Sequence, residues 1–475
     1  MFIIRQRRLP FVILLLTIVL IVIVGLVQAL VQVAELNLHI SEDQGLAFEL
    51  FRDKNGNLWI SEFGAGEIWQ IDSNLEQYTI YGNLTGASDA KVDNNGDLWW
   101  SNYTDNELGR YTPGENSADV WSLTGDITRT LGLAIDSNDD IWTTNELAPI
   151  VHQFLPATNK MCAFAVPDNG ASSYIVADAG QLWLGDWINN RILALDPVEE
   201  DFTIWQLPDS ESANIYGLAA DENHDIWWAD QNQHFLGRLT PQHNLVTTYT
   251  LPGKSWFAPT IVSTGHSKVW TTSGGLDFIA RLNPEKVYIQ PSSIISTTEP
   301  VIPVCDSPVN SKKLNVTVNG PFVTNWSGGF YNRITSPDSD LWLVYQIGYL
   351  DDPPGSPWGI VATEHEVFIV DQGRQVLTRL RPCYQLTPTH AGNGEDPLAS
   401  ADPSGICPEG EYLSGTVVTL TARPAAGNIV LSWRYTDDDS FVGLTNSITM
   451  PDEKHTVFVK YGTGTVLFLP LVNRN

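Results

Sequence analysis

Short apolar runs separated by turn residues fill the chain between residues 36 and 290. One stretch shows the pattern in full. Residues 215–220, 226–230, 235–241 and 245–252 are four runs rich in β-branched, aromatic and small apolar residues, and Asp221-Glu222-Asn223-His224-Asp225 fills the first gap. Runs of about five to eight residues bounded by Gly, Pro, Asn or Asp predict β-strands. The first run, Ile215-Tyr216-Gly217-Leu218-Ala219-Ala220, is small enough for a crowded centre. No convincing 3.6-residue period competes with this reading, so an all-β fold is expected.

The four-run unit repeats. Its marker is Asp-x-x-Gly/Asp-x-Leu/Ile-Trp, present as Asp53 to Trp59, Asp93 to Trp99 and Asp136 to Trp142, with weaker copies ending at Trp183, Trp227, Trp270 and Phe368. The first six follow one another at 40, 43, 41, 44 and 43 residues. A period of about 40–45 residues made of short strands marks propeller blades, which bury their faces only by stacking in a ring. The repeat tryptophans read as wedges between blades, and Trp121, on an outer strand, is expected to matter less. Residues 36–40 are expected to close the ring as the missing strand of the last blade, because closure removes exposed edges.

The period breaks once. Trp270 and Phe368 stand 98 residues apart, with a Pro/Ser/Thr-rich stretch between them. Residues 314–318 and 322–323 read as an extra hairpin, 341–347 as an outer strand and 357–362 as an inner one. The count is a seven-bladed β-propeller with an insertion at about 285–340; an eighth blade centred on Trp342 is the alternative.

The N-terminus changes the cellular picture. Arg5, Arg7 and Arg8 precede an uncharged stretch from Leu9 to Ala34, long enough to span a bilayer. An N-terminal transmembrane segment is expected, with the rest extracytoplasmic. Val27-Gln28-Ala29 keeps a cleaved signal peptide, and hence secretion, open. The expected organisation is therefore 1–34 anchor or signal, 36–383 propeller, 384–462 small C-terminal β domain and 463–475 tail. Composition narrows the partners. With 26 basic against 55 acidic residues, net −29, nucleic acid is excluded, and membrane contact is confined to the N-terminal segment. The four cysteines (162, 305, 383 and 407) form no zinc-like cluster, and export permits disulfides.

Two resemblances follow from these residues. The unit Gly217-Leu218-Ala219 … Asp225-Ile226-Trp227 … Leu236-Gly237-Arg238-Leu239-Thr240-Pro241 resembles the repeat of the virginiamycin B lyase (streptogramin lyase) propellers over residues 36–383. It is similar, more loosely, to the gluconolactonase/regucalcin and NHL propellers. Residues 384–462, through Thr389 to Gly394, Cys407 to Tyr412, Gly415 to Gly427, Trp433, Ile448 to Pro451 and His455 to Val457, resemble the internalin B-repeat of bacterial surface proteins. The second resemblance implies a Cys383–Cys407 bridge. The first implies either a streptogramin-type lyase or a metal-dependent lactone or ester hydrolase. The lyases are understood to use Mg²⁺ with a Glu and a His two apart at a strand end. Here Glu62 supplies the Glu, but Gly64 stands where the His would be.

Candidate chemistry gathers at one mouth of the ring. The residue three past each repeat aromatic ends the second strand of its blade: Glu62, Asn102, Asn145, Asp186, Asp230, Ser273 and Asp371. Such oxygen donors suit Ca²⁺ or Mg²⁺, and Glu62, Asn145, Asp186 and Asp230 are the candidate metal ligands. Tyr174, Tyr216, Trp256 and Trp358 are candidate ligand-binding aromatics for a small molecule, sugar or peptide. His224, His266 and His365 fall in turns on the opposite face, and His234 alone is near this mouth. No Gly-x-Ser-x-Gly elbow and no phosphate loop occurs; catalytic residues are not assigned. The expected function is ligand or partner binding at the cell surface by an exported, membrane-anchored propeller. The two enzyme classes, and a structural surface role, are the alternatives.

Overall fold

The computed structural model describes residues 30–38, 47–125, 129–208, 214–232, 234–251, 259–265, 268–273, 278–285, 289–306, 309–324, 327–335, 342–346, 357–363, 366–403, 407 and 409–463. Among them the only helical segments are two three-residue 3₁₀ turns, Pro167–Asn169 and Pro241–His243. The chain forms two compact units: residues 33–329 with 335–381, and the C-terminal residues from Pro382 onward, with which residues 1–32 and 330–334 are grouped.

The first unit is the propeller. Its innermost strands are Ala47–Arg52, Ala87–Val92, Thr130–Ile135, Ile175–Asp178, Ile215–Ala220, Pro259–Gly265 and Pro357–Ala362. Each touches the next in this order, and the seventh touches the first, so seven blades close a ring. Trp342–Gln346 pairs antiparallel with Phe278–Leu282 as the fourth strand of blade 6, which leaves no eighth blade. The sheet order sets Leu30–Asn37 beside Val376–Arg381 of blade 7, and Leu38 N donates to Gln375 O at 3.1 Å. The expected closure is therefore made by a strand that begins earlier, within the apolar stretch. The anchor or signal reading of 1–34 falls almost wholly outside the described residues. Among the described residues no helix is long and apolar enough to cross a membrane.

The repeat has a physical explanation in each blade. The aspartate of the marker opens the tight turn, and its two oxygens do different work. Asp53 Oδ1 accepts the Asn55 and Asn57 amides, while Oδ2 accepts the Trp59 indole N–H at 2.9 Å. Asp93, Asp136 and Asp221 bond Trp99, Trp142 and Trp227 in the same way. The fourth turn residue is left-handed, φ 88° at Gly56 and 90° at Gly96, but also 61° at Asp139 and 63° at His224. In the Leu-Gly-Arg of the third strand, Gly109 and Gly237 lie under the Trp100 and Trp228 rings, where an added Cβ would come within 2.1 Å. Arg110 and Arg238 then cover Trp99 and Trp227 at 5.5 and 5.4 Å. Trp121 is buried like the repeat tryptophans and stacks on Trp99 at 5.8 Å, contrary to the expectation from its outer position. The fourth strand carries part of the interblade core.

The insertion also departs from expectation. Residues 312–315 and 317–323 do not pair with each other. Instead the chain leaves blade 6 after its third strand and runs backwards around the rim, adding a fifth antiparallel strand to blade after blade. Ser292–Ser293 pairs with blade 5, Ser296–Pro300 with blade 4, Val304–Asp306 with blade 3, Lys312–Asn315 with blade 2 and Thr317–Val323 with blade 1. Ser327–Thr335 then stands between Leu30–Asn37 and Trp342–Gln346 in the sheet order, and the last of these completes blade 6. The outer edge of each blade offers unpaired backbone groups, and this belt satisfies them. Between belt strands the amides of Ile294, Val301, Val309, Val316 and Thr324 donate to the carbonyls of Asn244, Glu200, Asn159, Asn116 and Glu76, one hairpin per blade. A disulfide, Cys162–Cys305, fastens the belt to blade 3.

The C-terminal unit packs a four-stranded sheet and a three-stranded sheet around Leu386, Val418, Leu420, Val430, Trp433, Val457 and Val459. Cys383 begins its first strand, Cys383–Ala391, and is bridged to Cys407.

Candidate functional site

The inner strands create the site. In six blades the register slips between the first and fourth residues of the inner strand: Ala47 faces Glu62, yet Leu50 faces Ile60. Such a bulge re-aims side chains, here toward the channel axis. It also frees backbone groups, which hydroxyls two past the repeat aromatic satisfy. Ser61 Oγ accepts from Glu49 N and donates to Ser88 O of the next blade. Ser101 Oγ repeats this with Asp89 N and Leu131 O. Thr272 donates to Trp358 O.

Two carboxylates, Glu49 and Asp89, occupy the same bulge place in blades 1 and 2. Asp89 is buried, ion-paired to Lys91 at 2.5 Å, and accepts Leu133 N at 2.8 Å. Glu49 keeps part of its surface open, yet its Oε2 is buried and has no hydrogen-bond partner. Burial, and then the Asp89 charge, push the Glu49 carboxyl up to about 8, with Lys91 opposing. Burial also raises Asp89, against the pull of Lys91 and two backbone amides.

The aromatic candidates stand in this neighbourhood. Tyr174 and Tyr216 meet at 5.2 Å with planes at 62°, and Tyr216 meets Trp358 at 5.8 Å and 88°. The Tyr174 hydroxyl is pushed far up by burial and then by Glu49, Tyr216 and Asp89, with Trp358 opposing. Tyr216 is raised by burial and then by Glu146, Tyr103 and Glu49. Glu146 in turn accepts from the Tyr103 hydroxyl at 2.9 Å and pairs with Arg129. Trp256 lies outside the described residues. Sequence reasoning missed Glu49 and Asp89 because nothing in the repeat marks the third residue of an inner strand as facing the axis.

The strand-end residues behave differently. Glu62 accepts the Gly64 and Ala65 amides, Asn145 those of Leu147 and Ala148, and Asp230 those of Asn214 and Asn232. Asp186 accepts the Ala171, Ile188 and Asn189 amides and pairs with Arg191 at 2.7 Å. Each caps the loop beside its own strand end. Among the described residues no group of three or more His, Cys, Asp or Glu is placed to hold a metal ion.

Two of the described histidines are held by side chains of neighbouring segments. His152, on a third strand, is buried against Thr124, and burial lowers it to about 4. His224 is in its expected turn, 3.0 Å from Asp178. A cavity of about 200 Å³ beside Asn145, lined by Thr124, Ala148, Pro149 and Ile150, is smaller than ordinary ligand pockets.

With this geometry in hand the chain can be placed among known proteins. Residues 32–301 match the virginiamycin B lyase family. The chain belongs to that family. The match ends inside the belt, at Val301. Residues 399–464 match the divergent InlB B-repeat domain. Among solved structures, a catalytically inactive virginiamycin B lyase from Staphylococcus aureus with quinupristin is similar at TM-score 0.55 and 16% identity, covering 74% of this chain and 98% of that one. A streptogramin B lyase structure is similar at TM-score 0.55 and 15% identity, with the same coverage. At such identities these likenesses speak for the fold alone. No curated protein matches the chain.

Proposed function

We propose that this chain is an exported propeller that binds a small ligand at the inner rim of its channel. The observation that carries the reading is the edge-to-face run Tyr174–Tyr216–Trp358 beside the unpartnered Glu49 oxygen. Aromatic walls with few convergent polar groups are how proteins hold small molecules. Arg5, Arg7, Arg8 and the apolar stretch behind them support display at a membrane, with the propeller outside. Protease added to intact cells is then expected to remove the propeller; a protected propeller, or one wholly free in the medium, contradicts the anchor.

Ligand-observed NMR against a fragment panel of sugars, amines and aromatics tests the site. Hits are expected to vanish in a Tyr216→Ala/Trp358→Ala variant whose circular dichroism is unchanged. A panel without any hit sensitive to those rings would sink the reading. Family membership and the proton held by Glu49 favour a second reading, a ring-opening lyase of the streptogramin type with Glu49 in proton transfer. Chromatography of quinupristin incubated with the protein tests it: conversion that Glu49→Gln abolishes would support the lyase, and an unchanged peak would exclude it.

A further inference from the structure

We infer that the channel rim around Tyr174, Tyr216, Trp358 and Glu49 selects an organic ammonium ion, a deepening that rests on the ligand-site reading above. The walls have the right form. Successive planes at 62° and 88° make a corner rather than a stack, and a cation is attracted to the faces of such rings. Tyr216, Trp358 and Glu49 each keep part of their surface open to solvent.

The charges point the same way. The two acidic groups are not equivalent. Lys91 sits on Asp89 at 2.5 Å and balances it, whereas the Glu49 Oε2 atom faces no donor. Tyr174, only 7% exposed, has a buried hydroxyl whose neighbours are the Trp358 side chain and both carboxyls. The Glu49 Oε2 atom beside these rings has no hydrogen-bond donor of its own. A bare metal ion does not suit it, because one free carboxyl and aromatic faces do not replace a hydration shell of oxygens. A soft, weakly hydrated ammonium does. The molecule already does this once within itself: Lys91 Nζ lies 5.0 Å over the Phe51 ring while pairing with Asp89. A net charge of −29 also concentrates cations around the molecule.

Binding must displace the Glu49 proton, so affinity is coupled to pH. The groups that face Glu49 are Asp89 and Lys91 from blade 2, Tyr174 from blade 4 and Tyr216 from blade 5. Glu49 itself is raised to about 8. Below that pH each unit of acidification should weaken the cation about ten-fold, because one proton competes with it.

The experiment is calorimetry on the full chain with choline and with its uncharged isostere, 3,3-dimethylbutan-1-ol. Choline is expected to bind, to tighten from pH 6 towards pH 8, and to release a proton below pH 8. Trp358→Phe and Glu49→Gln should each weaken it by about ten-fold, within the range of a desolvated cation–π contact. The alcohol should bind at least ten-fold more weakly. Equal binding of choline and the alcohol at the same rings would overturn the cation class and leave the ligand site standing. Binding of neither, with sugar or aromatic fragments still lost in the ring variant, would do the same. Binding of neither with no ring-dependent fragment at all would remove both readings.

Discussion

At the scale of single residues, the marker is a small machine in which each identity has a task. Asp93 orders its turn and holds the Trp99 indole, and Asp97 reaches the Arg110 that covers the same ring. In blade 3 the arginine place is taken by Gln153, which donates to Asp140 at 3.1 Å. Without a cation, burial and Asp136 push Asp140 up to about 6. Two glycine substitutions separate backbone from packing. A Cβ at Gly96 meets nothing within 4 Å, but φ is +90°, so Gly96→Ala should cost about 1–2 kcal/mol in denaturant titrations through conformation alone. Gly237→Ala has an ordinary backbone and a tryptophan in the way; overpacking should cost about 1–3 kcal/mol, and Trp228→Leu in the same chain should restore part of it. Glu49 makes a pH signature. Its carboxyl is raised from 4.5 to about 8 in the folded chain. Below pH 4.5 both states hold the proton and nothing is lost. Between 4.5 and 8 the unfolded chain releases a proton that the folded chain keeps, so stability falls as pH rises. Glu49→Gln should remove that slope, and its advantage in melting temperature over the parent should grow from pH 5 to pH 8. A constant difference would mean that Glu49 does not titrate in this window.

At the scale of elements, the strands of the blades were legible because their apolar runs are continuous and their turns carry Asp and Gly. Residues 215–220 and 226–230 of the sequence reading are the strands Ile215–Ala220 and Ile226–Asp230. The belt was not legible in that way. Its strands are short, and the longest, Thr317–Val323, is exposed along its whole length. Nothing alternates, since each piece contributes one anchor rather than a face. The signal it does carry is a period of seven or eight: Ile294, Val301, Val309, Val316 and then Thr324. Each of the four apolar anchors packs into the core at its own blade. The channel carboxyls were hidden for another reason. Strand alternation fails at a bulge, so a polar residue there looks like any solvent-facing one. Cys162 and Cys305 are 143 residues apart. Chain-entropy reasoning assigns a loop that long roughly 4–5 kcal/mol of stabilisation. Reduction should therefore lower the melting temperature. Limited proteolysis read by mass spectrometry should then cut within residues 286–325 before any blade. Cleavage of the blades first would show that the belt is not the part the bridge secures.

At the scale of the whole molecule, contacts between remote segments dominate. Glu35 pairs with Arg374 across 339 residues at 2.7 Å, and Thr324 reaches Leu75 across 249. Chains rich in such contacts fold slowly. Pulsed hydrogen exchange during refolding should show amides of the blades 1–5 inner strands protected before those of residues 292–323. Simultaneous protection would mean the rim and the blades condense together. The C-terminal unit, by contrast, closes its core within residues 384–461 and bridges cysteines only 24 apart.

The lap around the rim also fixes a timetable. Synthesis from the N-terminus delivers five blades, each with an open outer edge, before the first residue of the belt arrives. The belt then visits them in reverse, the most recent first and the oldest last. Until Thr317–Val323 reaches blade 1, that blade has waited through the emergence of more than two hundred residues with backbone donors and acceptors exposed. Blade 1 is therefore the part of this protein in greatest need of a chaperone during its own synthesis.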